Sequence, residues 1–241
     1  MGEYQRVGNQ IQAAIAHRLG KIAIQYQTLS VPAEEDFSVT LDVCILQNLL
    51  TTIVEQLKAR RKDRRHDDLR IEIAKTRIWG LRQEMIDENT FEGAGKETGE
   101  VVLRRLRNAL SHPLDLDIDD RFPTTGYTTT KVDPAAIHRF CFVNSPDVTM
   151  RGRPKTFDSA GDAKIGLTNA QRDGDMPEHV TPIPYGADKF CFGLVGKPFA
   201  RIFKIYLTSE EIHALVIGLS NYLAEPIQKN SDTSTRAGLV A

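Results

Sequence analysis

The chain has 241 residues, which is enough for one large domain or for one domain with an insertion. Hydrophobic residues make up 41% of it, so a core can form. The 31 basic and 32 acidic residues nearly cancel. This balance excludes a protein that binds polyanions through its overall charge, and any nucleic-acid surface must therefore be a local basic patch.

The cysteine content and the absence of long apolar runs indicate a cytoplasmic protein without a membrane partner. Cys44, Cys141 and Cys191 show no metal-ligand spacing and are too few for a disulfide framework. The first twenty residues lack the apolar segment of a signal peptide, and no apolar run is long enough to span a bilayer. No metal site or cofactor is predicted, because five histidines have no partners at metal-ligand spacing: His17, His66, His138, His179 and His213.

The first half of the chain shows the periodicity of helices. Apolar residues three or four positions apart predict helices over about 11–26, 39–57 and 71–85. Thr98 predicts the N-cap of a fourth helix, which runs from about Gly99 to Ser111. Helical stripes joined by short polar loops predict a bundle.

The second half changes in character after Pro113. Alternating residues predict strands at 136–144, 189–196 and 199–207, and we expect them in one small antiparallel sheet. The polar segment 145–188 predicts a long loop. Thr208 or Ser209 is expected to cap a last helix that ends at Pro226.

The predicted fold is mainly α, a helical bundle with a small antiparallel β-sheet inserted before the last helix. We expect a single domain over 1–241. Its parts would be a bundle from 1–112 and 208–225, a β-rich insertion over 113–207 and a flexible tail over 226–241.

The end of the fourth helix, "RRLRNALSHP", combines residues that suit phosphodiester chemistry. Arg104, Asn108 and His112 are four residues apart and share one helical row, and Pro113 moves His112 out of the helical region. A guanidinium such as that of Arg107 binds phosphate oxygens, and an imidazole transfers protons near neutral pH. Such a set can cleave RNA without a metal, because RNA carries its own nucleophile, the 2′-hydroxyl.

The stretch "RNALSH", residues 107–112, resembles the Arg-polar-x3-His motif of HEPN-domain ribonucleases. The resemblance covers these six residues and a helical frame of about the first 112. It implies a homodimer in which two motifs form one cleft, and metal-free cleavage of RNA to a 2′,3′-cyclic phosphate by a toxin or defence effector, with an antitoxin protein as an additional partner. Arg107 would stabilise the phosphate charge, His112 would act as acid or base, and Asn108 would position Arg107 or the RNA.

The basic run at 58–70 supplies further candidate RNA contacts, which together with Arg104 are Arg60, Arg61, Arg64 and Arg65. The alternative is a solvated helix end. In the same way, Arg107 and His112 fit an ordinary helix end, where cations face the negative end of the dipole. The alternative function is therefore a non-catalytic HEPN-like module that binds RNA, nucleotide or a protein partner. A third is a DNA-binding regulator that uses residues 58–65.

Overall fold

The computed structural model describes residues 2–30, 36–59, 64–76, 78–91, 93–111, 125–133, 136–149, 151–172 and 176–237. The helices are α1 (Gly2–Gln27), α2 (Ser38–Ala59), α3 (Gly99–Leu110), α4 (Ala160–Arg172) and α5 (Ser209–Ala237). The strands are β1 (Ile86–Asn89), β2 (Gly126–Asp133), β3 (Ala136–Asn144), β4 (Thr181–Pro184), β5 (Phe190–Leu194), β6 (Lys197–Pro198) and β7 (Phe203–Thr208). Two 3₁₀ helices, Arg64–Arg70 and Gln83–Met85, lie between α2 and β1.

The prediction of a mainly α fold is wrong, because the chain forms a mixed fold with 51% helix and 20% strand. Four antiparallel strands form one sheet in the order β1-β7-β3-β2, and three form another in the order β4-β5-β6. β1 comes from the half of the chain that was expected to be helical. The strands predicted at 136–144 and 199–207 pair with each other, but that at 189–196 belongs to the second sheet.

The helix predicted over 71–85 does not form. Of the predicted apolar stripe, Ile78, Leu81 and Met85 are buried, but they reach the core from turns and a 3₁₀ helix. Ile71 and Ala74 are exposed, and Ile73 is buried in their place. Trp79 and Gly80 both have positive φ, at 50° and 86°, which an α-helix cannot contain. The predicted helix and the first part of its apolar stripe are therefore both wrong.

The segment 145–188 is not a long loop, because it contains α4 and β4. Ser159 begins α4 through its hydroxyl, which accepts a hydrogen bond from the Asp162 amide at 3.0 Å. The buried residues of α4 are only Ala163 and Leu167, so its sequence shows little apolar periodicity. Pro226 also does not end the last helix, since α5 continues to Ala237; a proline removes one helical hydrogen bond, but a helix can continue past it.

The main core lies between the helices α1, α2, α3 and α5 and the four-stranded sheet. Its most buried side chains include Leu46, Ile53, Leu106, Ile205 and Leu219. A second cluster under the three-stranded sheet is much smaller, with buried Leu167, Met176, Val180 and Phe192. At the edge of the main core, Arg201 forms a bidentate salt bridge with Asp147, with N–O distances of 2.7 and 2.8 Å.

Glu97 fixes the loop that leads from β1 into α3. Its carboxylate is buried and accepts hydrogen bonds from the side chains of Gln83 at 2.7 Å and Asn89 at 2.5 Å, and from the Gly95 amide at 2.9 Å. Burial acts to raise the pKa of Glu97, but these hydrogen bonds outweigh burial and hold the pKa below its usual range. The next residue, Thr98, is the N-cap of α3 as predicted, and it accepts from the Val101 amide at 3.4 Å.

We expect Glu97→Gln to destabilise the fold at pH 7 by about 1–3 kcal/mol, because an amide nitrogen would face the donors of Gln83 or Asn89. The lowered pKa means that the carboxylate contributes stability above its ordinary value of 4.5, and that this contribution disappears as the pH falls through the folded value. Urea unfolding should therefore show that the difference in the free energy of unfolding between the two proteins becomes smaller as the pH is lowered. Glu84→Gln, at an exposed position, is the control, and its free energy of unfolding should stay close to that of the unmodified protein. A difference for Glu97→Gln that stays constant with pH would contradict this explanation.

Candidate functional site

The helix α3 presents the residues of the predicted motif. It buries Val102, Leu103, Leu106, Ala109 and Leu110 in the core. The opposite row faces outward, so that Glu100, Arg104, Arg107 and Ser111 follow one another along the helix. Ser111 closes the helix, since its hydroxyl donates to the Arg107 carbonyl at 2.9 Å. The helix therefore ends where the sequence predicts, one residue before His112.

Arg107 is the most constrained of the predicted site residues that the structure describes. Its side chain is 25% exposed, and its Nη2 atom lies 3.4 Å from Glu55 Oε1 in α2. Its Nε atom is buried and has no hydrogen-bond partner among the described residues. The planar guanidinium thus keeps donors that Glu55 does not use, and a phosphate can accept from two of them through two of its oxygens.

Glu55 is the carboxylate that competes for Arg107, and the sequence analysis missed it. It also accepts a hydrogen bond from Lys58 at 2.9 Å. This hydrogen bond and the Lys58 charge, with a smaller effect of Arg107, lower the pKa of Glu55. The carboxylate is therefore ionised at neutral pH. The sequence shows the Glu55–Lys58 spacing on a helix, but no local pattern relates Glu55 to a residue 52 positions away.

The other predicted site residues are placed only in part. Arg104 is 46% exposed and pairs with Glu100 at 2.7 Å, one helical turn away. The Asn108 side chain is half-buried beside Arg107 in the last turn of α3. The backbone of Arg64 and Arg65 begins the first 3₁₀ helix, whereas Arg60, Arg61 and His112 lie outside the described residues. The structure thus brings Arg107 and Glu55 together, and Asn108 follows Arg107 in the last turn of α3.

The described residues were searched for a membrane-spanning helix and for a cluster of metal ligands. α2 is long and apolar enough to cross a membrane by length and composition, but this is weak evidence, because the core helix of a soluble protein passes the same test and α2 buries its apolar face in the core. Within these ranges, no group of three or more His, Cys, Asp and Glu side chains is arranged to hold a metal ion.

Comparison of the chain with protein-family models, with curated proteins and with solved structures finds no match.

We expect Glu55→Gln to increase the affinity for a phosphodiester strand by a few-fold, because the variant removes the anion that occupies Arg107. The ligand is a single-stranded 2′-O-methylated oligonucleotide, which carries phosphates but no free 2′-hydroxyl, and affinity is measured by fluorescence anisotropy. Glu178→Gln removes a carboxylate at another exposed position and should leave the affinity nearly unchanged. If both variants bind equally well, the competition between Glu55 and phosphate is refuted.

Proposed function

We propose that the protein is a metal-independent endoribonuclease of HEPN type. The observation that carries the proposal is the state of Arg107, a guanidinium at the end of α3 that is 25% exposed and contacts Glu55 through Nη2 at 3.4 Å. In the sequence, Asn108 follows it directly and His112 comes five residues later. The combination provides a phosphate ligand, an amide and a proton carrier at one helix end.

In the proposed reaction the 2′-hydroxyl of RNA attacks the adjacent phosphorus. A bond forms between the 2′-oxygen and phosphorus, and the bond between phosphorus and the 5′-oxygen of the next nucleotide breaks. The 2′-hydroxyl loses its proton to a base and the leaving 5′-oxygen receives one from an acid. His112 takes one or both of these roles, Arg107 neutralises the charge that accumulates on the phosphate oxygens, and Asn108 holds Arg107 or the RNA. The products are a 2′,3′-cyclic phosphate and a 5′-hydroxyl.

The proposed chemistry requires no metal or cofactor, and its setting is the cytoplasm. By the resemblance of residues 107–112 to the HEPN motif, the enzyme is a toxin or defence effector, and an antitoxin protein is an additional partner. The proposed RNA contacts are Arg104 and the basic residues Arg60, Arg61, Arg64 and Arg65.

A surface on α1 supports the homodimer that a composite cleft requires. Ile11, Ile15 and Ile22 share one face of α1, and each is about half exposed. The opposite face packs small residues such as Ala16 and Ala23 against α5. The N-terminal half of α1 lies beside the end of α2, where Gln56 donates to Gln12 at 3.1 Å. Gln56 is the residue after Glu55, and Glu55 pairs with Arg107. If two copies of the chain pair through their α1 faces, the 107–112 motifs of both copies would lie near that interface.

The alternative is a non-catalytic HEPN-like module that binds RNA, nucleotide or a protein partner. The observation that favours it is the pairing of Arg104 with Glu100 and of Arg107 with Glu55, since such pairs also stabilise ordinary helix surfaces. Catalysis separates the two readings, because only the first requires the imidazole of His112.

We expect the purified protein to cleave single-stranded RNA in the presence of EDTA and to leave single-stranded DNA intact. His112→Ala removes the proton carrier and should lower the cleavage rate by about 10²–10⁴. Arg107→Ala should also lower the rate strongly. The rates are measured with a fluorescently labelled RNA strand.

His179→Ala and Lys164→Ala are the controls, since both replace exposed residues on other parts of the chain. Their rates should match that of the unmodified protein, and circular dichroism should show that all variants are folded. Cleavage that depends on a divalent metal, or that persists in a folded His112→Ala variant, would refute the proposed mechanism.

We expect Ile15→Glu to produce a monomer with strongly reduced cleavage, because it places a charge on the α1 face proposed to join the two copies. Ile165→Glu in α4 is the matched control, since Ile165 is 63% exposed and Ile15 46%. The control should keep both mass and activity. Light scattering coupled to gel filtration gives the mass. A dimer that survives Ile15→Glu would show that the two copies meet elsewhere.

A further inference from the structure

A cavity of about 270 Å³ opens between the first 3₁₀ helix, the turns that follow it and α5. Its wall includes the apolar side chains of Leu69, Ile71 and Ile78 and the rings of Trp79 and Tyr222. Asp68 supplies a carboxylate to this wall. A mainly apolar pocket with few polar groups is the usual form of a small-molecule site, and this volume suits one planar ring system.

Trp79 lies in the cavity wall and has an unfavourable backbone conformation. Its φ of 50° is in the left-handed region, which is costly for a residue with a side chain. Its ring lies against α5 at Gly218, where a β-carbon on the glycine would overlap the Cγ and Cδ1 atoms of the ring. One face of the indole is therefore covered by the helix, and the rest of the ring contributes to the cavity.

Tyr222 forms a second rigid aromatic wall. Its ring meets the Trp79 ring edge-on, with centroids 5.2 Å apart and planes at 65°. Its hydroxyl is 2.6 Å from Nδ1 of the buried His66, so the phenol is fixed at both ends. Two fixed rings at this angle allow a planar group to stack on one ring while the edge of the other contacts it.

We propose that this cavity binds one base of the RNA substrate and prefers guanine. Aromatic side chains bind unstacked bases of single-stranded RNA by stacking, and specificity then comes from hydrogen bonds to the Watson–Crick edge. A carboxylate such as that of Asp68 accepts hydrogen bonds only. Guanine offers it two neighbouring donors, the ring N1–H and the exocyclic amino group. Uracil offers a single ring N–H between two carbonyl oxygens, which the carboxylate repels.

The cavity lies at the start of α3 and Arg107 lies near the end of the same helix. The connection between them in RNA binding rests on the proposed function. Gly99, the first residue of α3, packs so closely on Leu69 and Ile78 in the cavity wall that a β-carbon there would lie 2.7 Å from Ile78 Cδ1. Arg107 follows eight residues later, about 12 Å along the helix. Arg70 and Arg104 lie between the two places, and both contact Glu100. The bound base would therefore lie a few nucleotides from the cut phosphate and select the cleavage position.

Intrinsic fluorescence measures the occupancy of the cavity, because Trp79 is the single tryptophan of the chain. The probes are guanosine, adenosine, cytidine and uridine, titrated separately into the full chain. We expect guanosine to quench the emission and to bind about tenfold more tightly than uridine. Asp68→Asn should reduce the guanosine affinity by about the same factor. Asp67→Asn is the matched control in the same 3₁₀ helix and should bind as the unmodified protein does.

Quenching by none of the nucleosides, equal affinities for all four, or unchanged guanosine affinity in Asp68→Asn would each overturn the inference. Binding of choline in place of guanosine would also overturn it, since the cavity would then be an aromatic cage for a cation.

Cleavage mapping separates this inference from the proposed function. On an RNA of mixed sequence, we expect the cuts of the unmodified protein to keep a fixed distance from guanines, and those of Asp68→Asn to lose that relation. If RNA is cut in EDTA without regard to guanine, the cavity inference fails while the ribonuclease stands. If guanosine binds as expected and no RNA is cut, the cavity stands as a guanine site and the ribonuclease fails.

Discussion

The buried carboxylate of Glu97 is the interaction on which the candidate site depends. Glu97 is the residue just before the N-cap of α3. Its carboxylate accepts hydrogen bonds from Gln83 in the second 3₁₀ helix and from Asn89 at the end of β1. Hydrogen bonds to a buried charge are stronger than neutral ones, and such a charge without them would be costly. The start of α3 is therefore fixed, and the rotation of the helix then follows from its buried leucines. Arg107 consequently points along the outer row toward Glu55.

Charge compensation is the second constraint on this surface. Arg104 and Arg107 each have a carboxylate partner. The positive charge of these two residues is therefore largely compensated at the surface of α3, as it is over the whole chain, which has a net charge near zero. Exposed ion pairs contribute little to stability, and a phosphate can replace the carboxylate at little cost. The surface is thus compatible with a ligand that binds through specific contacts rather than through overall attraction.

The sequence predicted those elements whose signals are local. The helices α1 and α2, the Thr98 cap of α3 and the start of α5 are set by residues within a few turns of one another. In α1, however, Ile11, Ile15 and Ile22 of the apolar stripe are exposed, and the small residues of the opposite face are buried. The prediction was wrong where tertiary structure decides. The apolar residues over 71–85 reach the core from turns around Trp79, α4 has little buried surface, and sheet membership depends on pairings between distant strands. Of the candidate site, Arg107 and Asn108 lie at the helix end as predicted, whereas Glu55 and the Trp79 cavity depend on contacts that no spacing reveals.

The central claim is that the 2′-hydroxyl of the substrate is the nucleophile and that no metal takes part. The most direct test is the mass of the fragments that the full-length protein produces from a defined RNA strand in EDTA. The account predicts that the upstream fragment ends in a 2′,3′-cyclic phosphate and that the downstream fragment begins with a 5′-hydroxyl. An upstream 3′-hydroxyl with a downstream 5′-phosphate would contradict it, because those ends result from attack by water.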